Sequence, residues 1–191
     1  MRRQHFIGIL CACATGTAIL AFEPLAGAQA RAETFTADAS VVRANGTVAS
    51  AKLTAVVQSF STDTDRDTVI AAVKQGGTAA RDLLAARKDV GSIKVGTKST
   101  AVKYAYARRV GSGRLITLVT AEPIHFVGGD LPDAKPKAGY DLGLVLLDVS
   151  GSQPGHGEVA PAAKVKVDAQ NAIVTEDYGA EVVRLSNIVR Q

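Results

Sequence analysis

The sequence predicts an α+β fold: a curved, mostly antiparallel β-sheet of about eight strands with a short helical pair after the first hairpin. Three observations lead to this prediction. Apolar and polar residues alternate along most of the chain, which is typical of half-buried strands. Helical spacing occurs only between residues 64 and 88. One late strand is apolar on both faces, so the sheet needs two covers, as in a sandwich or a half-closed barrel.

The first predicted element is a β-hairpin. The segments Thr34–Val42 and Val48–Phe60 alternate in polarity and are rich in valine and threonine. Between them, Asn45 and Gly46 tolerate the positive φ angles of a tight turn. The two segments are therefore expected to pair with each other.

Two short helices are expected next. Asp65–Lys74 carries an apolar stripe, and Thr64 three residues before Asp67 resembles a capping box. Gly76-Gly77 ends this helix. The spacing then predicts a second helix over Thr78–Lys88.

Strand periodicity returns after the helices. Pro161 predicts an edge or a bulge in its strand. The strand that is apolar on both faces, Tyr140–Val149, is expected to be covered by the helical pair on one side and by the far wall of a curled sheet on the other. Gly128–Ala138 and Ser150–Gly157 are predicted loops. The predicted strands are Thr100–Arg109, Arg114–Glu122, Tyr140–Val149, Glu158–Asp168, Asn171–Tyr178 and Glu181–Val189.

The first 30 residues are expected to direct export. Arg2 and Arg3 precede an uncharged apolar run over residues 6–22, and Ala28-Gln29-Ala30 has the small-residue spacing that signal peptidase reads. The prediction is a cleaved signal peptide over residues 1–30 and a single α+β domain over residues 31–191. A membrane anchor is the weaker alternative because the run is short, and Leu10–Cys13 only faintly resembles a lipobox.

Cleavage would restrict the chemistry of the mature chain. Both cysteines lie in the signal, which excludes disulfides, cysteine nucleophiles and cysteine-ligated metals from the mature part. The formal charge falls from +4 to +3, and this small excess, together with export, argues against a nucleic-acid partner. After cleavage no apolar run is long enough to span a membrane. No cofactor is predicted, and the oligomeric state stays open.

Glu122 and His125 are weak candidates for acid–base catalysis. They lie near the end of a predicted strand, and catalysis would need both within hydrogen-bond reach in a cleft. His156, between two glycines, is expected in a solvated loop. The chain has no Gly-x-Ser-x-Gly nucleophile elbow. A hydrolase or isomerase using His125 is therefore the alternative function rather than the favoured one.

Asp63, Asp65 and Asp67 are weak metal-ligand candidates. Carboxylates at alternate positions bind calcium in an EF-hand loop, but that loop needs glycine and glutamate where Thr68 and Lys74 stand. Acidic residues at a helix start also interact favourably with the helix dipole. The acidic run is therefore interpreted as the beginning of the first helix.

Two ligand classes are considered. A curled sheet with few large aromatic residues is expected to have an incompletely packed interior lined by Tyr104, Val119, Leu144 and Leu146, which would take a small apolar ligand. A tightly packed sandwich is the alternative. An anionic envelope component would suit a group of basic residues with interleaved tyrosines. These basic residues are Lys94, Lys98, Lys103, Arg108, Arg109 and Arg114.

Several segments form a recognisable order along the chain: Ser59–Asp67, Gly76-Gly77, Leu83-Leu84, Val90–Ile93, Arg114–Ile124 and Tyr178–Leu185. Together they resemble a family of small exported bacterial proteins of unknown function. The resemblance implies a periplasmic or secreted bacterial protein, and it implies no catalytic residues.

The favoured function is therefore an exported, non-catalytic protein that binds a small apolar ligand or an envelope component. A structural partner in an envelope complex is the further alternative, which an exposed apolar patch would favour.

Overall fold

The computed structural model describes residues 32–42, 46–125, 139–149, 154–179 and 181–191, which contain ten strands and two helices. The helices are α1 (Asp63–Gln75) and α2 (Gly77–Ala85). The strands are β1 (Glu33–Val42), β2 (Val48–Val57), β3 (Gly91–Val95), β4 (Lys98–Val102), β5 (Tyr104–Val110), β6 (Gly113–Thr120), β7 (Leu142–Asp148), β8 (Gly155–Val167), β9 (Ile173–Tyr178) and β10 (Val183–Arg190).

The predicted α+β class and the helical pair after the first hairpin are confirmed. The β1–β2 hairpin is in register from Glu33↔Val57 to Val42↔Val48. Several predictions fall outside the described residues: the signal peptide over residues 1–30, Asn45 of the turn, and most of the two loops at 128–138 and 150–157.

The strands form one antiparallel sheet that curls into a nearly closed barrel. Its order is β4-β3-β2-β1-β10-β8-β7-β6-β5, with β9 paired to β8. β4 and β5 stand at opposite ends of this order, yet only Lys103 separates them in the chain. The two ends of the sheet must therefore meet. At this junction the Lys103 N–H donates to the carbonyl oxygen of Val119 in β6 at 2.9 Å.

The sequence predicts two strands fewer than the structure describes. Thr100–Arg109 was expected to be one strand, but it bends at Lys103 and forms both β4 and β5. The strand β3 (Gly91–Val95) is only five residues long, too short for its alternation to stand out. The bend at Lys103 matters because it carries the chain from one edge of the sheet to the other.

Apolar side chains from all nine strands of the barrel fill its interior. On β1 the inward residues are Phe35, Ala37, Ala39 and Val41, which alternate with outward ones as strand geometry requires. The large, fully buried side chains of this core include Phe35, Leu53, Ile93, Ile116, Leu118, Leu147 and Ile188. The far wall of the curled sheet thus covers the inner face of β7, as predicted.

An ion cluster joins β1, β6 and β10 at one end of the barrel. Glu33 is only 12% exposed, and Arg114 donates to both of its carboxylate oxygens, at 3.2 and 2.7 Å. Arg190 lies 3.6 Å from the same carboxylate, and the Arg114 guanidinium lies 5.8 Å from the ring centre of Phe60. The Arg114 side chain is therefore held by contacts that stabilise the fold.

The helical pair covers part of the barrel's outer face. Val69, Ile70 and Val73 of α1 and Leu84 of α2 are buried in a second hydrophobic cluster. Its members on the barrel strands are Tyr104, Val119, Leu142, Leu144, Ala160 and Ala163. The prediction that the helices cover one face of the apolar strand is confirmed.

β8 leaves the barrel wall midway along its length. The β7–β8 register shifts between Leu142 and Leu144, opposite Ala160–Ala163, so the bulge predicted from Pro161 is confirmed. Beyond the bulge β8 pairs with β9, and Val165 and Ile173 of this hairpin join the helix-covered cluster. The β8–β9 hairpin therefore folds over the outer face beside the helices.

Candidate ligand-binding cleft

Part of the outer face lies beyond the helices and the β8–β9 hairpin, and it forms a cleft of about 840 Å³. We call this feature the outer cleft. Strands β1, β6, β7, β8, β9 and β10 contribute to it, as does the segment that connects β9 to β10. Its apolar lining consists of Val42, Leu115, Leu146, Tyr178 and Val182.

The apolar part of the outer cleft continues onto the surface. Leu115 and Leu146 lie on the adjacent strands β6 and β7, whose register pairs Thr117 with Leu146. Val42 at the end of β1 is largely exposed, and so is its register partner Val48. The cleft therefore has an apolar floor and an apolar rim.

Titratable side chains line the other part of the outer cleft. They are Asp148, His156, Glu158, Glu181 and Arg184. Glu158 stands between Leu146 of β7 and Arg184 of β10 in the register. Within the part of the chain that the structure describes, Glu158 and Arg184 form no ion pair despite this adjacency. Among the described residues, three carboxylates thus accompany one arginine in the cleft.

His156 lies in β8 and not in a loop, so that prediction is wrong. A Cβ atom at Gly157 would clash with the carbonyl oxygen of Leu146, and one at Gly155 would clash with that of Asp148. The two glycines therefore serve close contact between β7 and β8, although glycine usually weakens a strand. The His156 Nε2 lies 3.6 Å from Asp148 Oδ2, and the imidazole is 75% exposed.

A smaller hollow of about 40 Å³ lies where α1 begins. Arg66, Tyr106 and Leu115 line it together with the β8–β9 turn, residues 170–173. Leu115 also lines the outer cleft, so the two hollows are neighbours. Asp168 holds the turn, because its Oδ1 accepts from the N–H groups of Gln170 at 2.9 Å and Ala172 at 2.8 Å.

The acidic run begins α1. Thr62 and Asp65 form a reciprocal capping box, so the box expected at Thr64 and Asp67 is misplaced by two residues. Arg87 donates to Asp65 and holds the pKa of that carboxyl below its usual range. Arg66 binds both Asp63 and Asp67. Across the described ranges no three His, Cys, Asp or Glu side chains gather as a metal site requires.

Hydrogen bonds of Tyr106 on β5 connect the start of α1 to the barrel. The Tyr106 hydroxyl donates to Asp63 Oδ1 at 2.8 Å, and this bond raises the pKa of Tyr106. Arg66 in turn donates to the same hydroxyl oxygen at 2.8 Å. Burial raises the pKa of Tyr104, whose ring stacks on Tyr106 with centroids 6.3 Å apart.

The residues expected to line an interior cavity lie elsewhere. Tyr104, Val119 and Leu144 face outward and are buried under the helices, and of the four only Leu146 lines the outer cleft. The inward residues of β7 are Val145 and Leu147. Since both faces of this strand are apolar, its sequence does not distinguish them. A role for these four residues in binding stays a prediction.

Glu122 and His125 follow β6 and are both exposed. The backbone holds this segment, since the N–H of Ile124 donates to the carbonyl oxygen of Pro161 at 2.8 Å and the Thr120 hydroxyl donates to that of Glu122. Neither Glu122 nor His125 lines the outer cleft or the smaller hollow.

The basic residues considered for an anionic ligand do not all share one surface. Lys103 pairs with Asp89 at 2.7 Å, and Arg114 belongs to the ion cluster of Glu33. Arg108 and Arg109 are consecutive on β5, so their side chains point to opposite faces.

Comparison with known proteins finds no matching family model, no matching curated protein and no matching solved structure. The resemblance to a family of small exported proteins therefore stays a prediction. Neither α1 nor α2, the helices within the described residues, is long and apolar enough to cross a membrane.

Proposed function

We propose that the protein is an exported, periplasmic or secreted, non-catalytic binding protein whose ligand occupies the outer cleft. The observation that carries the proposal is the cleft itself. Its volume of about 840 Å³ lies within the range of about 300–1,000 Å³ that is usual for ligand pockets. It joins an apolar floor to charged groups, which is the combination that binds and orients a ligand.

The lining favours an amphipathic ligand with a positive group. An apolar part of the ligand would cover Leu115 and Leu146. A cation would lie near Glu158 and Glu181, because carboxylates outnumber arginines among the described residues of the cleft. An anionic envelope component fits this charge balance less well than a cationic or neutral one.

The geometry of the hydroxyl and imidazole groups supports a non-catalytic role. Asp148 and His156 resemble two parts of a catalytic triad, and Ser40 is a hydroxyl in the same cleft. However, β10 lies between β8 and β1 in the sheet order. Two strand spacings amount to about 10 Å, which is beyond hydrogen-bond reach.

Calorimetric titration with three eight-carbon probes tests the proposal: octyltrimethylammonium, octyl glucoside and octanoate. We expect the cation to bind most tightly. Leu146→Ser should weaken it about fivefold because part of the apolar floor is lost. Glu158→Gln should reduce the preference for the cation over octyl glucoside.

Val110→Ser is the matched control for Leu146→Ser. It removes a partly exposed valine at the β5–β6 hairpin, outside the cleft, and should leave binding unchanged. Binding of none of the three probes, or equal binding by wild type and Leu146→Ser, would contradict the proposed ligand site.

Processing is tested separately by N-terminal sequencing of the exported form in a bacterial host. The expected first residue is near Arg31. A periplasmic form that retains Met1, or one with a lipid on Cys13, would contradict the predicted signal peptide.

A further inference from the structure

β9 has one edge without a strand partner among the described residues. It pairs with β8 on its other edge and stands off the path of the barrel. A free strand edge presents main-chain N–H and C=O groups that an added strand can pair with.

The hairpin register shows which groups point to this free edge. Asp168 N–H donates to the carbonyl oxygen of Ala172 at 3.0 Å, so these two residues form a hydrogen-bonded pair. In an antiparallel ladder such pairs alternate with pairs whose main-chain groups point away from each other. Val167↔Ile173 and Val165↔Thr175 are therefore of the second kind. The N–H and C=O groups of Ile173 and Thr175 therefore point away from β8; Ile173 is only 3% exposed, so Thr175 supplies the accessible groups of the free edge.

The free edge lies beside the outer cleft. Ile173 at the start of β9 lines the smaller hollow, and Tyr178 at its end lines the outer cleft. Leu115 lines both hollows, so its side chain lies between them. α1 packs against β8, the other strand of the hairpin, and Tyr178 places the end of β9 at the outer cleft.

We propose that β9 accepts an extended, positively charged peptide segment of a partner protein as an added strand, with its side chains over the outer cleft. This inference rests on the proposed function and names the partner that the cleft would bind. Strand addition obtains affinity from main-chain hydrogen bonds and specificity from side chains that alternate into pockets. Apolar side chains of the segment would reach Leu115 and Leu146 at every second position.

Charge favours a basic segment over a second copy of this chain at the cleft end of β9, whereas Arg66 and Arg108 line the smaller hollow at its start. Glu176 on β9 is exposed, and Glu158 and Glu181 line the cleft beside it. Lysine or arginine side chains on an added strand would approach these carboxylates. Pairing of β9 with β9 of a second copy would instead bring two Glu176-Asp177 pairs together, and like charges on adjacent strands repel.

The test uses a fluorescently labelled octapeptide that alternates valine and lysine, with blocked termini, and measures anisotropy with the full exported chain. Two control peptides carry glutamate in place of lysine, or N-methyl groups on alternate residues. We expect each control to bind about tenfold more weakly. The N-methylated peptide keeps every side chain, so it reports on main-chain pairing alone.

Two variants at one position test the β9 edge itself. Thr175→Pro removes an N–H that points away from β8, which an edge strand tolerates. Thr175→Val changes the side chain but keeps the N–H. We expect Thr175→Pro to bind the valine–lysine peptide about tenfold more weakly than Thr175→Val, with both folded by circular dichroism. If Thr175→Pro does not fold, the affinity of the wild-type protein for the N-methylated peptide tests strand addition instead.

The outcomes separate this inference from the proposed function. Equal affinity for the N-methylated and unmethylated peptides overturns strand addition. Binding of octyltrimethylammonium with no binding of the valine–lysine peptide also overturns it but leaves the proposed ligand site standing. Binding of neither contradicts both.

Discussion

Two leucines on one face of β7 have opposite surroundings. Leu144 is 1% exposed beneath the helices, whereas Leu146, two residues further on, lines the outer cleft. On β6, Val119 is likewise buried beneath the helices and Leu115 lines the cleft. We call these the covered half and the open half of the outer face. The same strands, with the same alternation of apolar and polar residues, form both halves. The two halves therefore differ in whether helices and the hairpin cover them, and not in their sequence periodicity.

The length of the cover explains where the open half begins. α1 has 13 residues and α2 has nine, which correspond to about 20 and 14 Å of helix. The β8–β9 hairpin extends the cover as far as Tyr178, which already lines the cleft. The covered half is therefore buried by the helices and the hairpin, and the open half is the part of the outer face where we propose that a ligand binds.

The largest expected effect is on stability in the covered half. Leu144→Ala should lower the free energy of unfolding by about 3 kcal/mol because it leaves a cavity among buried side chains. Leu146→Ala should cost below about 1 kcal/mol, since its side chain is partly exposed. Urea denaturation measures both. Equal losses would remove the distinction between the two halves.

Two buried threonine hydroxyls differ in their hydrogen bonding, one on the barrel strand β6 and one on β9 of the cover. Thr120 is fully buried, and its Oγ1 accepts from the Gly143 N–H at 3.0 Å and donates to the Glu122 carbonyl oxygen. The Oγ1 of Thr175 on β9 is buried without a hydrogen-bond partner in the described structure. We expect Thr120→Val to destabilise by about 2 kcal/mol and Thr175→Val to stabilise by about 0.5 kcal/mol.

Thermal and urea unfolding of the two valine variants give the sign of each change. A loss of stability in Thr175→Val would mean that its hydroxyl has a partner in solution. If Thr120→Val leaves the free energy of unfolding unchanged, the hydrogen bonds of the Thr120 hydroxyl make no net contribution to stability.

The charge of Asp65 on α1 is expected to make the stability of the protein depend on pH. The pKa of Asp65 is lowered, first by the hydrogen bond from Arg87 and then by the capping bonds with Thr62. A lowered folded-state pKa contributes stability above the unfolded value of about 3.9, and this contribution is lost as pH falls through the folded value. Asp65→Asn should therefore cost up to about 1 kcal/mol at neutral pH, since the side chain is 38% exposed and solvent screens the pair.

The pH dependence of this variant is the decisive measurement. The difference between wild type and Asp65→Asn should shrink towards zero as pH falls below about 4. Asp67→Asn is the control on the same helix, because the Asp67 carboxylate is largely exposed and its loss should be close to neutral. A difference for Asp65→Asn that does not depend on pH would contradict the role of its charge.

The sequence predicts the helices and strands better than it predicts how they are arranged in the fold. Alternation locates the β1–β2 hairpin and the apolar strand around Leu144, and Pro161 correctly marks a bulge, because these signals are local. Which apolar face of β7 points inward depends on barrel closure at Lys103, about 40 residues away in the chain. This is why Tyr104, Val119 and Leu144 were expected in an interior cavity.

The outer cleft itself had almost no sequence signal. Its lining comes from six strands and one connecting segment, each contributing one to three of the described residues. His156 was expected in a loop, because glycines on both sides usually indicate one. Glu158 and Arg184 become neighbours only through the β8–β10 register. A site that spans so many strands is defined by topology and not by any motif.

Mapping the octyltrimethylammonium site by methyl NMR tests most directly whether the open half binds a ligand. We expect the methyl signals of Leu115, Leu146 and Val182 to shift during the titration, while those of Val119 and Leu144 stay in place. Shifts centred on Val119, Leu144 or the barrel interior, with Leu146 unmoved, would contradict this expectation.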